Sequence, residues 1–194
     1  MSIGFYRMHA GEYFSQTAKV DPESFIAPLL GYIEPGSRIL DVGCGSGRDL
    51  LWLKNRGFSC TGLEISPELA ALAREHSGRS VIEADFEKFD FSRIKVDGVL
   101  LIGALVHVPH ERFMQVFSGI IKALKPGGLA LLSLKRGQGI RETEDGRKFY
   151  LWKREELLTN FRELGLSCID SFVQSSKIRE SDIWMSFILK KKIC

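Results

Sequence analysis

The sequence predicts an α/β domain built on a mainly parallel sheet, and three features of the chain predict it. Short apolar runs alternate with amphipathic stretches along most of the chain, the order expected of βαβ units. One run, Val96–Ile102, is almost wholly apolar, as a strand covered on both faces must be. Ile39-Leu40-Asp41-Val42 then leads straight into Gly43-x-Gly45-x-Gly47 and a helical stretch. A strand, a glycine turn and a helix start together make a site for a polar or anionic ligand.

The elements follow in order. Asp21-Pro22-Glu23 reads as an N-cap with proline at the first helical position. It opens a helix through Phe25, Ile26, Leu29 and Leu30 that stops near Gly36. Residues 38–42 form the first strand, 48–56 a helix ended by Gly57, and 58–63 the second strand. Ser66-Pro67-Glu68 caps a helix carrying Leu69, Leu72 and Ala73, and 80–84 is the third strand. The fourth strand is 96–102, and a helix over 110–124 puts Phe113, Val116, Phe117 and Ile120 on one side. Lys125-Pro126-Gly127-Gly128 is a turn, 129–134 the fifth strand, and 155–164 a helix ended at Gly165. The last two strands are 166–173 and 183–189, joined over 176–182. Residues 1–19 and 136–150 take no regular element. Long irregular stretches in a compact domain are usually functional loops or disordered ones.

Bulk properties narrow the function classes. The chain has 194 residues, 44% apolar and 26% charged, which suits one globular domain over 1–194. A net charge of +3 gives no push toward nucleic acid or an anionic membrane. No apolar run is long enough to span a bilayer, and the N-terminus does not read as a signal peptide. Cys44, Cys60, Cys168 and Cys194 show no CxxC pair and no metal-like spacing with histidine. Reduced thiols in a cytoplasmic protein without a metal site are therefore expected.

The glycine turn carries the chemistry. Glycines let the backbone approach a ligand and take positive φ. A lone Gly-rich turn is a weak signal, but two details sharpen it. The spacing is GxGxG and not the GxGxxG of dinucleotide binders, and Asp41 ends the strand before it. Glu64 then ends the second strand, where a carboxylate can accept both ribose hydroxyls of a nucleoside.

With these residues in view, 39–50 (ILDVGCGSGRDL) resembles the first motif of class I S-adenosylmethionine-dependent methyltransferases. Gly62-Leu63-Glu64-Ile65-Ser66, Glu83-Ala84-Asp85-Phe86, Leu105-Val106-His107-Val108-Pro109 and Leu124-Lys125-Pro126-Gly127-Gly128 follow in the family's order. The resemblance implies a Rossmann-like, doubly wound seven-stranded sheet, mostly parallel with the last strand antiparallel. It implies S-adenosylmethionine as cofactor, with Gly43, Gly45 and Gly47 facing its methionine and ribose parts and Asp41 acting near its amino-acid end. Glu64 would bind the ribose, Asp85 the adenine amino group and Phe86 the ring, while Ile102 and Gly103 line the methionine side. Each role has a plain competitor: Asp85 is also a good turn residue, Phe86 also a core aromatic, and Glu64 also a surface carboxylate. Cys44 is a small spacer with no paired base.

Methyl transfer is an in-line displacement on a sulfonium, so aligning the reactants in a dry site supplies much of the rate. A hydroxyl acceptor usually needs a base, whereas a thiolate or amine does not. His107 is the candidate base, against a structural role fixing its loop. His110, Tyr13 and Arg136 are candidate substrate contacts, with His110 also readable as a first-turn residue. Residues 1–20, with Tyr6, Tyr13 and Phe14, form a possible lid, or simply dock on the core. Residues 136–150, with Arg136, Arg141, Arg147 and Lys148, form a possible substrate loop or a solvated β-arm. The expected partner is a small-molecule acceptor. Methylation of RNA or protein, and a non-catalytic S-adenosylmethionine-binding protein, are the alternatives. Ile102-Gly103-Ala104-Leu105 stands where enzymes that methylate base amino groups carry Asn-Pro-Pro-Tyr or Asp-Pro-Pro-Tyr, and the glycine spacing disfavours a nicotinamide oxidoreductase.

Overall fold

The computed structural model describes residues 3–176 and 182–193. The expected connection between the last two strands therefore lies mostly outside the described residues. The chain opens with two short helices, α1 (Ile3–Met8) and α2 (Ala10–Thr17), where periodicity predicted no element. Helices of this length are marginal alone; both pack against α5 (Pro67–Ser77). The long helix expected after Asp21 is instead α3 (Glu23–Ile26), continued by a 3-10 turn over 27–31. Pro28 lacks an amide hydrogen, and its ring crowds the carbonyl four residues back. Pro22, not Asp21, holds the cap position, and the Asp21 carboxylate accepts from the Glu23 amide at 3.0 Å.

The βαβ core follows the expectation closely. It runs through β1 (Arg38–Val42), α4 (Arg48–Lys54), β2 (Ser59–Glu64), α5, β3 (Val81–Glu83), β4 (Val96–Ile102), α6 (His110–Ile120) and β5 (Leu124–Lys135). Ser66 caps α5, its hydroxyl accepting from the Leu69 amide at 3.3 Å, and Gly78 at φ 62° ends it. Two boundaries differ. The helix expected to reach 124 stops at Ile120 and tightens to a 3-10 turn over 121–123. The 125–128 turn lies inside β5: its pairing with β4 jumps from Val96↔Leu124 to Gly98↔Leu129, so these residues bulge from the ladder, with Gly127 at φ 76°.

Residues 136–150 are the β-arm, with β6 (Gly139–Glu142) paired antiparallel to β7 (Lys148–Leu151). α7 (Arg154–Glu163), β8 (Leu166–Ser175) and β9 (Ile183–Lys191) complete the chain. The seven-stranded sheet has the order β3-β2-β1-β4-β5-β9-β8. β9 runs antiparallel to both β5 and β8, between which it lies.

The sheet separates two apolar layers. Val99 and Leu101 of β4 face Phe113 and Phe117 of α6 and Phe161 of α7, all at 0% exposure. Leu100 faces the other way, toward Leu50 and Leu53 of α4 and Ala70 and Ala73 of α5. The alternation follows from the two-residue period of a strand. Each large side chain so buried stabilises the fold by roughly 1.5–3 kcal/mol. No helix among the described residues is long and apolar enough to cross a membrane.

Candidate functional site

Strand order reverses between β1 and β4, and ligands of open α/β sheets bind beyond the carboxyl ends of the strands at such a point. The turn leaving β1 holds Gly43, Gly45 and Gly47 at φ 72°, 53° and 73°. The Gly43 and Cys44 amides donate to the Leu63 carbonyl at 2.8 and 3.1 Å, and the Gly45 amide donates to Glu64 Oε2 at 3.0 Å. These amides thus bind the turn to β2, and what the turn offers a ligand is bare main chain. A Cβ on Gly43 would meet the Ala104 Cβ at 2.9 Å, and one on Gly45 the Tyr13 ring at 3.2 Å. Gly47 has a different job from the expected one. It faces α5, 2.8 Å from the Ala73 carbonyl for a built Cβ, and lets two helices approach.

Glu64 lies at the end of β2, 6% exposed. Its Oε1 accepts from the Ile65 and Ser66 amides, both at 3.0 Å, while Oε2 takes Gly45. Burial raises its pKa and these amides oppose the rise. Beside it, Asp85, Phe86, Ile65 and Leu69 line one end of a cavity. Asp85 is also a turn residue, its Oδ1 accepting from the Glu87 amide at 3.0 Å, and Phe86 also packs on the core. Each residue thus lines the cavity and has a structural role as well. Asp41 is 2% exposed, and its Oδ2 is buried without a hydrogen-bond partner. Burial first, and then the Asp49 carboxylate, push it well above the usual carboxylate range. Asp49 and Ser46, at the start of α4, line an adjoining cavity, as does Arg48, paired to Asp49 at 2.6 Å.

Seven residues line both this end of the site and a second cavity toward β5 and β9: Tyr6, Tyr13, Gly43, Gly45, Ile102, Gly103 and His107. The second cavity adds Ser133, Lys135, Arg147, Phe149 and Trp184. Tyr6 and Tyr13, from α1 and α2, pack edge to face at 5.0 Å between ring centres. Phe14 turns away onto His76. His107 Nδ1 lies 2.7 Å from the Lys148 carbonyl. A carbonyl only accepts, so Nδ1 carries the hydrogen and Nε2 accepts from the Tyr6 hydroxyl at 2.9 Å. Burial lowers His107 to a pKa of about 4, with Arg147 and Lys135 adding to the fall and the Lys148 carbonyl opposing it.

That value predicts a neutral imidazole at physiological pH. Its NMR titration should show no midpoint between about pH 5.5 and 8, whereas a midpoint above about pH 6 would contradict the geometry. Between the folded value near 4 and the ordinary 6.5, the unfolded chain binds more protons, so this group makes stability fall as pH drops through that window. Asp41 and Glu64, raised in the fold, act with the opposite sign. The comparison that isolates His107 is therefore His107→Gln, which should lose less stability than the parent on acidification from about pH 7 to 5.

Two expected substrate contacts lie elsewhere. His110 Nε2 meets the Leu151 carbonyl at 2.9 Å and its ring stands on Trp152, so it docks the β-arm. Arg136 is exposed, its amide donating to the Ile183 carbonyl at 2.9 Å. Arg147 and Lys135 take the cavity wall instead. Lys135 at the end of β5 is 5% exposed and pairs with Asp182, itself 4% exposed. Nothing in the local sequence marks that pair, because its members stand 47 positions apart. Cys44 is buried with its thiol pushed up, chiefly by burial, as suits a spacer.

Known proteins are similar to this chain in sequence and in fold. Residues 39–128 match the family model of the methyltransferase domain. A sterol 24-C-methyltransferase of Gibberella zeae is 36% identical over 138 residues, covering 66% of this chain and 35% of that protein. A ubiquinone biosynthesis O-methyltransferase of Xanthomonas campestris pv. campestris is 32% identical over 105 residues, covering 51% of this chain and 43% of that one. The match with this chain therefore spans less than half the length of these curated relatives. The magnesium protoporphyrin IX methyltransferase of Synechocystis PCC 6803, crystallised with S-adenosylhomocysteine, has a TM-score of 0.78 at 15% identity, covering 97% of each chain. Residues 39–128 thus match a methyltransferase domain, and with its reversed β9 and its site at the β1/β4 switch point the chain is similar in fold to class I S-adenosylmethionine-dependent methyltransferases.

Proposed function

We propose that this chain binds S-adenosylmethionine and transfers its methyl group to a small-molecule acceptor. The observation that carries the reading is the two-ended cavity. One end holds Glu64, Asp85 and Phe86, the other Lys135, Arg147 and Trp184, and bare Gly43, Gly45 and Gly103 lie between. The donor set suits the cofactor. Asp41 Oδ2 is a buried acceptor with no partner, of use to an ammonium group directly or through water. Glu64 accepts three amides through two oxygens, and a carboxylate has about four acceptor sites, so capacity remains for one ribose hydroxyl. When bound, S-adenosylmethionine supplies a methyl group on a positively charged sulfur.

The chain's own residues supply binding, orientation and exclusion of water. Tyr6 and Tyr13 cover the junction between the two ends, and Tyr13 closes on Gly45. His107 is the proton acceptor nearest the junction, acting through the Tyr6 hydroxyl that donates to it. With its pKa near 4 it is a weak base at neutral pH. Its first role is to orient Tyr6, and the reading favours an acceptor that needs little deprotonation. His110 and Arg136 enter only as supports of the β-arm. A small acceptor is further supported by a site walled by the domain's own elements.

Calorimetry with S-adenosylmethionine and S-adenosylhomocysteine, followed by labelled methyl transfer across metabolites, RNA and protein, tests this. Binding with transfer to metabolites is the expected result. Transfer only to RNA or protein would overturn the acceptor class, and binding without any transfer would leave a cofactor-binding protein.

A further inference from the structure

Helix α1 has little of its own to hold it. Of residues 4–8 none is buried, and only Phe5 and Tyr6 are half-buried. Both of these side chains lead to the tip of the β-arm. The Arg147 guanidinium lies over the Phe5 ring, 4.2 Å from its centre. The Tyr6 hydroxyl donates to His107 Nε2 at 2.9 Å, and His107 Nδ1 in turn meets the Lys148 carbonyl at 2.7 Å. Neighbouring residues of one helix thus reach neighbouring residues of the arm, by one direct contact and one relayed contact.

Arg147 is set up for the direct contact. Its Nε donates to Asp145 Oδ1 at 3.0 Å and its Nη2 to Asp145 Oδ2 at 2.6 Å, a forked pair that fixes the plane of the guanidinium. The Thr143 hydroxyl donates to the same carboxylate at 2.6 Å. A guanidinium paired along its edge keeps its flat face for an aromatic ring. On the helix side, His9 stacks on Phe5 at 4.6 Å between ring centres, 27° from parallel. Burial raises the Tyr6 pKa, and the nearby Arg147 guanidinium is the largest influence opposing the rise, so this cation bears on both residues of α1.

These contacts stand at an opening. A cleft between the N-terminal helices and the arm tip is lined by Phe5, Glu12 and Gly146, and it shares Tyr13, Gln16 and Arg147 with the inner cavity. Phe5 lines neither end of the inner cavity, whereas Tyr6 and Tyr13 line both. We propose that Arg147 is a positioning residue that latches α1 to the β-arm across this opening, and so keeps Tyr6 and Tyr13 over the bound cofactor. The proposal rests on the methyltransferase reading for the ligand and deepens it by naming what governs the ligand's release.

The test compares the whole parent chain with Phe5→Leu, Arg147→Gln, Arg147→Lys and the double variant Phe5→Leu/Arg147→Gln. Hydrogen exchange without ligand comes first. Amides of residues 7–17 should exchange about tenfold faster in Phe5→Leu and in Arg147→Gln, with α4 and α6 within about twofold of the parent. The double variant should exchange no faster than the single ones, because each substitution removes the same contact. Arg147→Lys keeps a cation over the ring and should restore most of the protection. Tritiated S-adenosylhomocysteine is then chased from each protein with the unlabelled compound. Its release should be about tenfold faster in Phe5→Leu, Arg147→Gln and the double variant, and near the parental rate in Arg147→Lys. Unprotected amides over 7–17 in the parent, multiplied effects in the double variant, or faster exchange throughout the fold would each overturn the latch. Faster release in Arg147→Gln with parental release in Phe5→Leu would overturn it too, since Arg147 would then act by touching the ligand. Absence of S-adenosylhomocysteine binding in the parent would instead remove the methyltransferase reading, and the exchange result would judge the latch alone.

Discussion

Replacing Glu64 with alanine should weaken S-adenosylhomocysteine binding by on the order of 1–3 kcal/mol and, separately, destabilise the unliganded fold. The second effect follows from what Glu64 does without ligand. Its two oxygens accept the amides of Gly45, Ile65 and Ser66. Truncation leaves two buried donors, Gly45 and Ser66, and the half-buried Ile65 amide without an acceptor at the junction of β1, β2 and α5. Each buried donor left unpaired costs about 1–3 kcal/mol, and water entering the vacated space recovers part of it, so a net loss of about 3 kcal/mol is expected. Glu64→Gln separates the two effects. An amide oxygen can keep the Ile65 and Ser66 amides while losing Gly45, so the fold should lose far less stability than in Glu64→Ala. Urea denaturation and calorimetry on both variants provide the check. Full stability and full affinity in Glu64→Ala would remove Glu64 from both roles.

Gly47→Ala should lower stability by about 3 kcal/mol, although Gly47 itself lines neither end of the cavity. Two terms add. Residue 47 sits at φ 73°, a conformation that costs an L-residue about 1–2 kcal/mol. The new Cβ would also lie 2.8 Å from the Ala73 carbonyl oxygen and 2.9 Å from its Cα. Relief requires α4 and α5 to separate, and overpacking of this kind costs about 1–3 kcal/mol. Gly57→Ala is the control, because Gly57 has φ 82° and open space around a Cβ. It should show only the conformational term. Equal losses in the two variants would mean that helix packing at Gly47 is not limiting. In Gly47→Ala the displaced helix should also weaken cofactor binding, because Ser46 and Asp49 at the start of α4 line the cavity.

The central βαβ frame was legible because its signals are local. β1 and β4 match their expected bounds, since apolar runs closed by glycine or flanked by caps admit few other readings. The residues that line the proposed cofactor end were legible for the same reason, standing at or near the ends of consecutive strands. Where the reading slipped, a local rule met a longer-range one. Lys125-Pro126-Gly127-Gly128 is a turn by composition, yet the flanking residues pair with β4 on both sides and draw it into β5 as a bulge. The 136–150 stretch, read as a substrate loop or a solvated β-arm, is the β-arm, and His107 and His110 anchor it through the carbonyls of Lys148 and of Leu151 just beyond it.

The sheet's parallel core, the glycine turn and the carboxylate at the end of β2 can all be read along the chain, because strand period, glycine conformation and capping are properties of neighbouring residues. The charged end of the cavity has no such local origin. Lys135, Arg141, Arg147 and Asp182 meet around Phe149 because β9 inserts beside β5 and the β-arm folds back over the strand ends. Charge in a buried space acts between residues distant in sequence, and no local pattern records which of them will face one another.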